Sequence, residues 1–219
     1  MNINLDKSKI KVIRLGDENY PKKLKNIYSK PHILYILGNE NLLNDKSIAI
    51  IGCRDSTDYG KKTAFRFGYE LAKKGICVIS GFARGIDSYS HLGAIMARGK
   101  TIAVMGCGLD VIYPPENEKL YREILKNDGA IISEYPLGTK PQKHHFPARN
   151  RIISGLSDGV LVVEAKKRSG TMITVEHALD QGRDVFAIPG NINSNNSYGT
   201  NELIKEGAIP VTNIDDIIN

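Results

Sequence analysis

Three short glycine-bearing turns offer the chemistry of anion binding. Gly52-Cys53-Arg54 follows the apolar run SIAIIG. Ser80-Gly81 closes a second such run and leads through Arg84-Gly85 into a helical pattern at Ile86. Ser169-Gly170-Thr171 opens a third helical pattern. Backbone N–H groups left bare by glycine at a strand-to-helix turn are ready partners for phosphate oxygens. Arg54 and Arg84 add a planar guanidinium suited to bidentate phosphate contact. A single turn of this kind needs no ligand to explain it, because a chain leaving a strand must reverse. Three of them, with Arg or Thr attached, point to an anion site.

A second candidate lies between Glu134 and Asp158, where no acidic residue occurs but Lys140, Lys143, His144, His145, Arg149 and Arg151 do. Lys143, Phe146, Arg149 and Arg151 fall within nine residues. Cations beside an aromatic ring are the combination that single-stranded nucleic acids use, the cations tracking phosphates and the ring stacking a base. Pro147 is expected at the first position of a helix ARNRIISGL. On that helix Arg149 and Arg151, two apart with Asn150 between, diverge. The same residues also permit a plainer reading, with Phe146 in the core and the arginines as ion-pair partners of the sheet. The residues alone leave both open. His144 and His145 are adjacent with no acid beside them, so no metal site is expected.

The elements that must position these groups alternate regularly. SIAIIG, ICVIS, TIAVMG, AIIS, GVLVVEA and DVFAIPG are short continuous apolar runs, as buried parallel strands require, and helical patterns separate them. In the first helix Ala64, Phe67, Leu71 and Ala72 share one face, and Gly75 is placed to stop it. Repeated βα alternation predicts an α/β fold, a doubly wound and mostly parallel sheet. Ligands of such sheets bind beyond the carboxyl ends of the strands, where all three glycine turns fall. Residues 1–46 are too short for a second large core and read as an N-terminal extension packed on a domain of residues 47–219. SNNSYGTN, residues 194–201, reads as a polar loop.

Composition narrows the class. The 219 residues are 41% apolar and 25% charged, enough for a packed core. No apolar run approaches the ~18–20 residues needed to span a bilayer, and the N-terminus lacks the apolar core of a secretory signal, so a cytoplasmic protein is expected. Cys53, Cys77 and Cys107 are odd in number and lack close pairing, against disulfides and zinc. The net charge is +6. Residues 1–46 hold 9 Lys/Arg against 5 Asp/Glu, leaving 21 against 19 in the rest. A basic site in the main body must therefore be local. There is no G-x-x-x-x-G-K-[ST], and Val111 stands where G-x-G-x-x-G would need its third glycine after Gly106 and Gly108. A P-loop NTPase and NAD binding are both disfavoured, and no cofactor is expected.

The motifs GCRDSTDYG, SGFARGIDSYSHLGA, GKTIAVMGCGLDVIYPPEN, ISEYPLGTKP, FPARNRIISGLSDGVLVVEA, SGTMITVEHALDQGRDVFAIPG and GTNELIKEGA together resemble the DNA-processing protein A (Smf/DprA) family over about residues 20–213. The resemblance implies an extended Rossmann-like domain that binds single-stranded DNA without sequence preference, forms a homodimer, and loads RecA recombinase onto incoming strands in natural transformation, and a non-catalytic binding protein is expected. It places an anion pocket on Gly52-Cys53-Arg54 and Ser80-Gly81, and basic and stacking groups on Lys143, Phe146, Arg149 and Arg151. With the turn residues Arg84, Gly170 and Thr171, and with Asn150, these make up the expected DNA-contacting set. Cys53 stands where the family's first motif usually has serine. Family members often carry an N-terminal helical domain and a C-terminal winged helix, for which this chain has no room. RNRIISGLSDGVLVVEAKKRSGTMITVEHAL also looks like the lysine-decarboxylase-like phosphoribohydrolases. In that alternative Arg151, Gly170-Thr171 and Glu176 would act on a nucleoside monophosphate, although the spacing from Thr171 to Glu176 departs from their P-G-G-x-G-T-x-x-E loop.

Overall fold

A computed structural model describes residues 5–218. In chain order the elements are β1 (Ile10–Arg14), β2 (Ile33–Gly38), β3 (Ser47–Gly52), α1 (Asp58–Lys73), β4 (Cys77–Ser80), α2 (Ile86–Met96), β5 (Thr101–Met105) and α3 (Glu118–Lys126). They continue as β6 (Ala130–Ser133), α4 (His145–Leu156), β7 (Gly159–Glu164), α5 (Gly170–Asp180), β8 (Asp184–Ala187), α6 (Tyr198–Lys205), β9 (Ile209–Pro210) and α7 (Asp215–Ile218). The nine strands form one sheet in the order β1-β2-β6-β5-β4-β3-β7-β8-β9. From β6 to β9 every pairing is parallel, while β2 runs antiparallel to both β1 and β6. The fold is α/β and mostly parallel.

The continuous apolar runs become strands because both of their faces are covered. Ser47–Ile51 and all of β7 are buried. On one face Phe67, Leu71 and Ala94 of α1 and α2 pack with Ile50, Val78 and Leu161 of the strands. On the other face Ile152, Ile153 and Val175 of α4 and α5 pack with Ala49, Val104 and Val160. The α1 face expected from the sequence is buried at Ala64, Phe67, Leu71 and Ala72, and Gly75, at φ +75°, follows the helix end.

The N-terminal segment packs on the core and extends the sheet, and two expectations change. The segment before Ser47 is built into the sheet: β2 pairs with β6 (Gly38 opposite Ala130), and Leu24, Leu34 and Ile36 join the core beneath α4. It adds an antiparallel edge that shares the core. Residues 194–201 are helical for most of their length, since a 3-10 turn at Asn195–Ser197 runs into α6, whose Leu203 is buried. Helix α4 begins at His145, so Pro147 is third, not first. Proline fits there because the N–H groups of a helix's first turn have no intrahelical partner.

Candidate functional site

The direction of winding reverses at β3, with β4 on one side and β7 on the other. A crevice beyond the carboxyl ends of the strands is expected at such a point. An open cleft of about 570 Å3 lies there, lined by the Gly52–Asp55 turn, the start of α4 and the β7–α5 loop.

The first turn is held by the sheet. Cys53 N–H donates to the Glu164 carbonyl (2.9 Å), and the Cys53 carbonyl accepts from Ile86 N–H (3.2 Å). Gly85, at φ +75°, lies so close that a Cβ there would sit 2.4 Å from the Cys53 carbonyl oxygen, so the first two glycine turns are locked together. The Cys53 thiol is buried, and burial pushes its pKa up. Its amide is thus spent on the sheet and cannot serve a phosphate. What the turn offers is Arg54, exposed beside the Phe146 ring at 5.3 Å from guanidinium carbon to centroid.

The turn keeps its shape through a carboxylate that the sequence did not single out. Glu164, buried at the end of β7, accepts from the Thr57 amide (3.0 Å), the Thr57 hydroxyl (2.5 Å) and the Asn196 side-chain amide (3.2 Å). Thr57 is the N-cap of α1, so the negative charge also sits at a helix N-terminus, where the helix dipole favours it. Gly60 makes room, because a Cβ there would be 2.4 Å from the carboxylate.

Helix α4 sorts its two arginines. Arg149 is buried but lines the cleft, its guanidinium carbon 5.9 Å from the Phe146 ring centre, and it donates to the Gly81 carbonyl (2.6 Å) and the Val104 carbonyl, at the strand ends of β4 and β5. Burial lowers its pKa to about 10, with the neighbouring Asp87 carboxyl opposing that shift. Asp87, itself buried, accepts from the Ala83 amide (3.2 Å), and burial pushes its pKa up against the pull of Arg149. Arg151 points away from the cleft. Its three nitrogens donate to the Glu134 carboxylate (2.6 Å) and to the carbonyls of Ser29 (2.6 Å) and Ala148 (2.7 Å). The expectation that Arg151 neutralises a phosphate is therefore corrected: its guanidinium is buried against an acid, tying α4 to the N-terminal segment. Phe146 is half-buried on the cleft wall, tilted against Tyr113 at 5.6 Å between ring centres, with Lys143 exposed beside it.

The other expected residues divide similarly. Gly52, Asn150, Gly170 and Thr171 line the cleft, although the Thr171 amide already donates to Ser169 Oγ (3.0 Å). Ser80 lies inside the sheet with its hydroxyl on the Ile50 carbonyl (2.6 Å), outside the cleft lining. Arg84 and Gly81 line a small adjoining pocket against the same Phe146 ring, and Arg84 faces Glu116 at 3.4 Å. Sequence reasoning missed Tyr113 and Lys166, both on the cleft wall. The K-K-R run directly after β7 was a signal for Lys166; nothing in the sequence marked Tyr113. His145 stacks on Tyr135 (4.0 Å) with Nδ1 on the Gly106 carbonyl (3.1 Å), and no cluster of three or more potential metal ligands occurs among the described residues.

Arg54, Lys143 and Lys166 thus give the cleft a cationic rim, with Asp55 loosely paired to Lys166 at 3.7 Å. Such a rim around a half-buried ring can hold the phosphates and one base of a flexible strand. Glycosidic cleavage needs a carboxylate at the bound sugar. Glu176 is exposed on α5 outside the cleft lining, and Arg151 is withdrawn, so two of the groups required by the phosphoribohydrolase alternative are not at the site.

A family model for DNA recombination-mediator protein A matches residues 11–219. The DNA processing protein DprA of Streptococcus pneumoniae is 46% identical over 202 residues, 92% of this chain and 71% of that protein. Its X-ray structure superposes with a TM-score of 0.91 at 44% identity, covering 96% of this chain and 74% of that one. DNA processing protein A of Helicobacter pylori, whose structure is described as giving insight into its single-stranded DNA binding mode, has a TM-score of 0.86 at 36% identity. That superposition covers 96% of this chain and 94% of that one.

Proposed function

From the premise that this chain belongs to the DNA recombination-mediator protein A family, we propose that it is a non-catalytic protein of DNA processing that binds single-stranded DNA in the cleft at the β3/β7 switch point. One observation carries this reading: the Phe146 ring faces the cleft with Arg54 at 5.3 Å and with Lys143 on the same lining. Arg54, Lys143 and Lys166 take phosphates, Phe146 takes a base by stacking, and Gly52, Asn150, Gly170 and Thr171 shape the floor and wall. Arg149 acts through the frame, tying α4, which carries Phe146, to the ends of β4 and β5. Neither group reads a base edge, so recognition is indifferent to sequence. A duplex hides its base faces in the stack and gains nothing from Phe146.

Protection of incoming strands, loading of RecA recombinase during natural transformation, a homodimeric state and a cytoplasmic location belong to this proposal as properties carried over from the family. The pneumococcal relative's name, a DNA processing protein, and the family's description as a recombination mediator support the DNA-processing and recombinase parts of this reading. No helix among the described residues is long and apolar enough to cross a membrane. The discriminating experiment is a filter-binding titration of oligo-dT against duplex of equal length at one salt concentration. Preference for oligo-dT is expected; equal or tighter duplex binding would overturn the proposal.

A further inference from the structure

Lys166, Lys167 and Arg168 run consecutively from the end of β7, and only Lys166 faces the cleft. Lys167 points the other way, its ammonium 5.2 Å from the centre of the Tyr198 ring. Tyr198 is the first residue of α6 and is 39% exposed. Its position is fixed by the backbone around it, since the next amide, Gly199 N–H, donates to the Ala165 carbonyl (2.7 Å), and the Ala165 amide donates to the Asn196 carbonyl (2.8 Å). A Cβ on Gly199 would lie 2.8 Å from that same carbonyl oxygen, so the start of α6 is pressed against the end of β7. Asn196 also reaches the Asp55 carbonyl (2.9 Å), which joins this corner to the first glycine turn. The ring and its lysine therefore stand on rigid backbone just over the rim from the cleft. Lys167 and Arg168 are exposed, with no carboxylate partner among the described residues.

An exposed aromatic ring with a free cation over it repeats, outside the cleft, the pairing of Phe146 with Arg54. We infer that Tyr198 and Lys167 form a second nucleotide subsite, taking a base and a phosphate of the single strand as it leaves the cleft over Lys166. The inference rests on the proposed single-strand reading and adds a direction to it. The strand runs from the Phe146 wall, past Lys166, to the start of α6. The loose lysine contact yields readily, because a base covers the ring more fully than one ammonium does, and the displaced cation is left facing the backbone phosphate.

The test compares wild-type protein with Phe146→Ala, Tyr198→Ala, Tyr198→Phe and Lys167→Ala on oligo-dT of about four and about twelve nucleotides, lengths that bracket one and several subsites. Tyr198→Ala is expected to weaken the longer oligonucleotide about tenfold and leave the shorter unchanged, with Tyr198→Phe restoring wild-type affinity. Lys167→Ala should flatten the salt dependence of the longer oligonucleotide by about 0.7 in log–log slope. A 2-aminopurine placed toward one end of the longer strand should lose its quenching in Tyr198→Ala alone. If Phe146→Ala weakens both lengths while Tyr198→Ala binds both as wild type does, the second subsite is refuted and the cleft reading stands. Equal loss on both lengths in Tyr198→Ala also refutes it, and failure of wild type to bind either length removes both.

Discussion

The Arg54 guanidinium lies 5.3 Å from the centre of the Phe146 ring, at the mouth of a cleft where neither side chain belongs to the core. A cation and a ring meet there because Arg54 leaves the end of β3 while Phe146 is carried by α4, which packs over β3, β4 and β5. Charge and stacking surface are thus available to one nucleotide at once, and they can be removed separately.

Phe146→Ala should reduce oligo-dT affinity by ~1–3 kcal/mol, the range for one base stacked on one aromatic ring. Its salt slope should match wild type, since no charge is removed. Fluorescence anisotropy at several salt concentrations measures both. A changed slope with unchanged affinity would assign the ring to the frame.

Arg149→Ala should be costly in stability. It leaves the Gly81 and Val104 carbonyls without their donor and the Asp87 carboxyl without its neighbouring cation. Removing one partner from such a buried charged set costs about 3–5 kcal/mol. Urea unfolding should show that loss, whereas Lys143→Ala, at an exposed side chain, should leave the midpoint in place. A loss under about 1 kcal/mol for Arg149→Ala would mean that the guanidinium is not part of the frame.

Cys53→Ser should leave single-strand affinity within about twofold of wild type, because the amide of residue 53 is committed to Glu164 and the side chain is buried. Serine's hydroxyl would have to replace a thiol that faces the interior. A large gain in affinity would show that the hydroxyl reaches the ligand.

Acid should weaken the fold through His91. Its Nδ1 lies 2.7 Å from the Thr101 hydroxyl, which itself donates to the Val78 carbonyl, so Nδ1 carries the proton; Nε2 is buried without a partner among the described residues. Burial, aided by the charge of Arg149, lowers the pKa from 6.5 to about 3. The unfolded chain then binds a proton that the folded chain refuses. Stability is full above the unfolded value and falls by about 1.4 kcal/mol per pH unit between it and the folded one. Asp87, with its pKa raised by burial, acts in the opposite sense above its unfolded value of 3.8. The clean measurement is therefore the difference between wild type and His91→Gln in urea midpoints from pH 7 down to about 4, where the variant should lose less. Parallel curves would contradict it.

The fold was legible because its strands are buried on both faces. Runs such as SIAIIG and GVLVVEA can only be interior, and a glycine or a cap marks each end. What failed to show was decided by distant contacts. Nothing local distinguishes Arg149 from Arg151; their roles follow from where α4 crosses the sheet, which puts one over β4 and β5 and the other against Glu134. The polar run at residues 194–201 turns helical because its start is held by Ala165 and its far side buries Leu203. The pairing of β2 with β6 spans Gly38 to Ala130, beyond the reach of any local pattern. In the first glycine turn the amide after Gly52, that of Cys53, belongs to the sheet through Glu164, a partner 111 residues away that no local pattern reveals.

The central claim, that exposed cations of the cleft meet the phosphates of a single strand, is tested most directly by the salt dependence of oligo-dT binding in Arg54→Ala and Lys143→Ala. Each should flatten the slope of log K against log salt by about 0.7, one phosphate's worth of released counterion, and the double variant by about twice that. Slopes equal to wild type in both variants would place the strand somewhere else on the molecule.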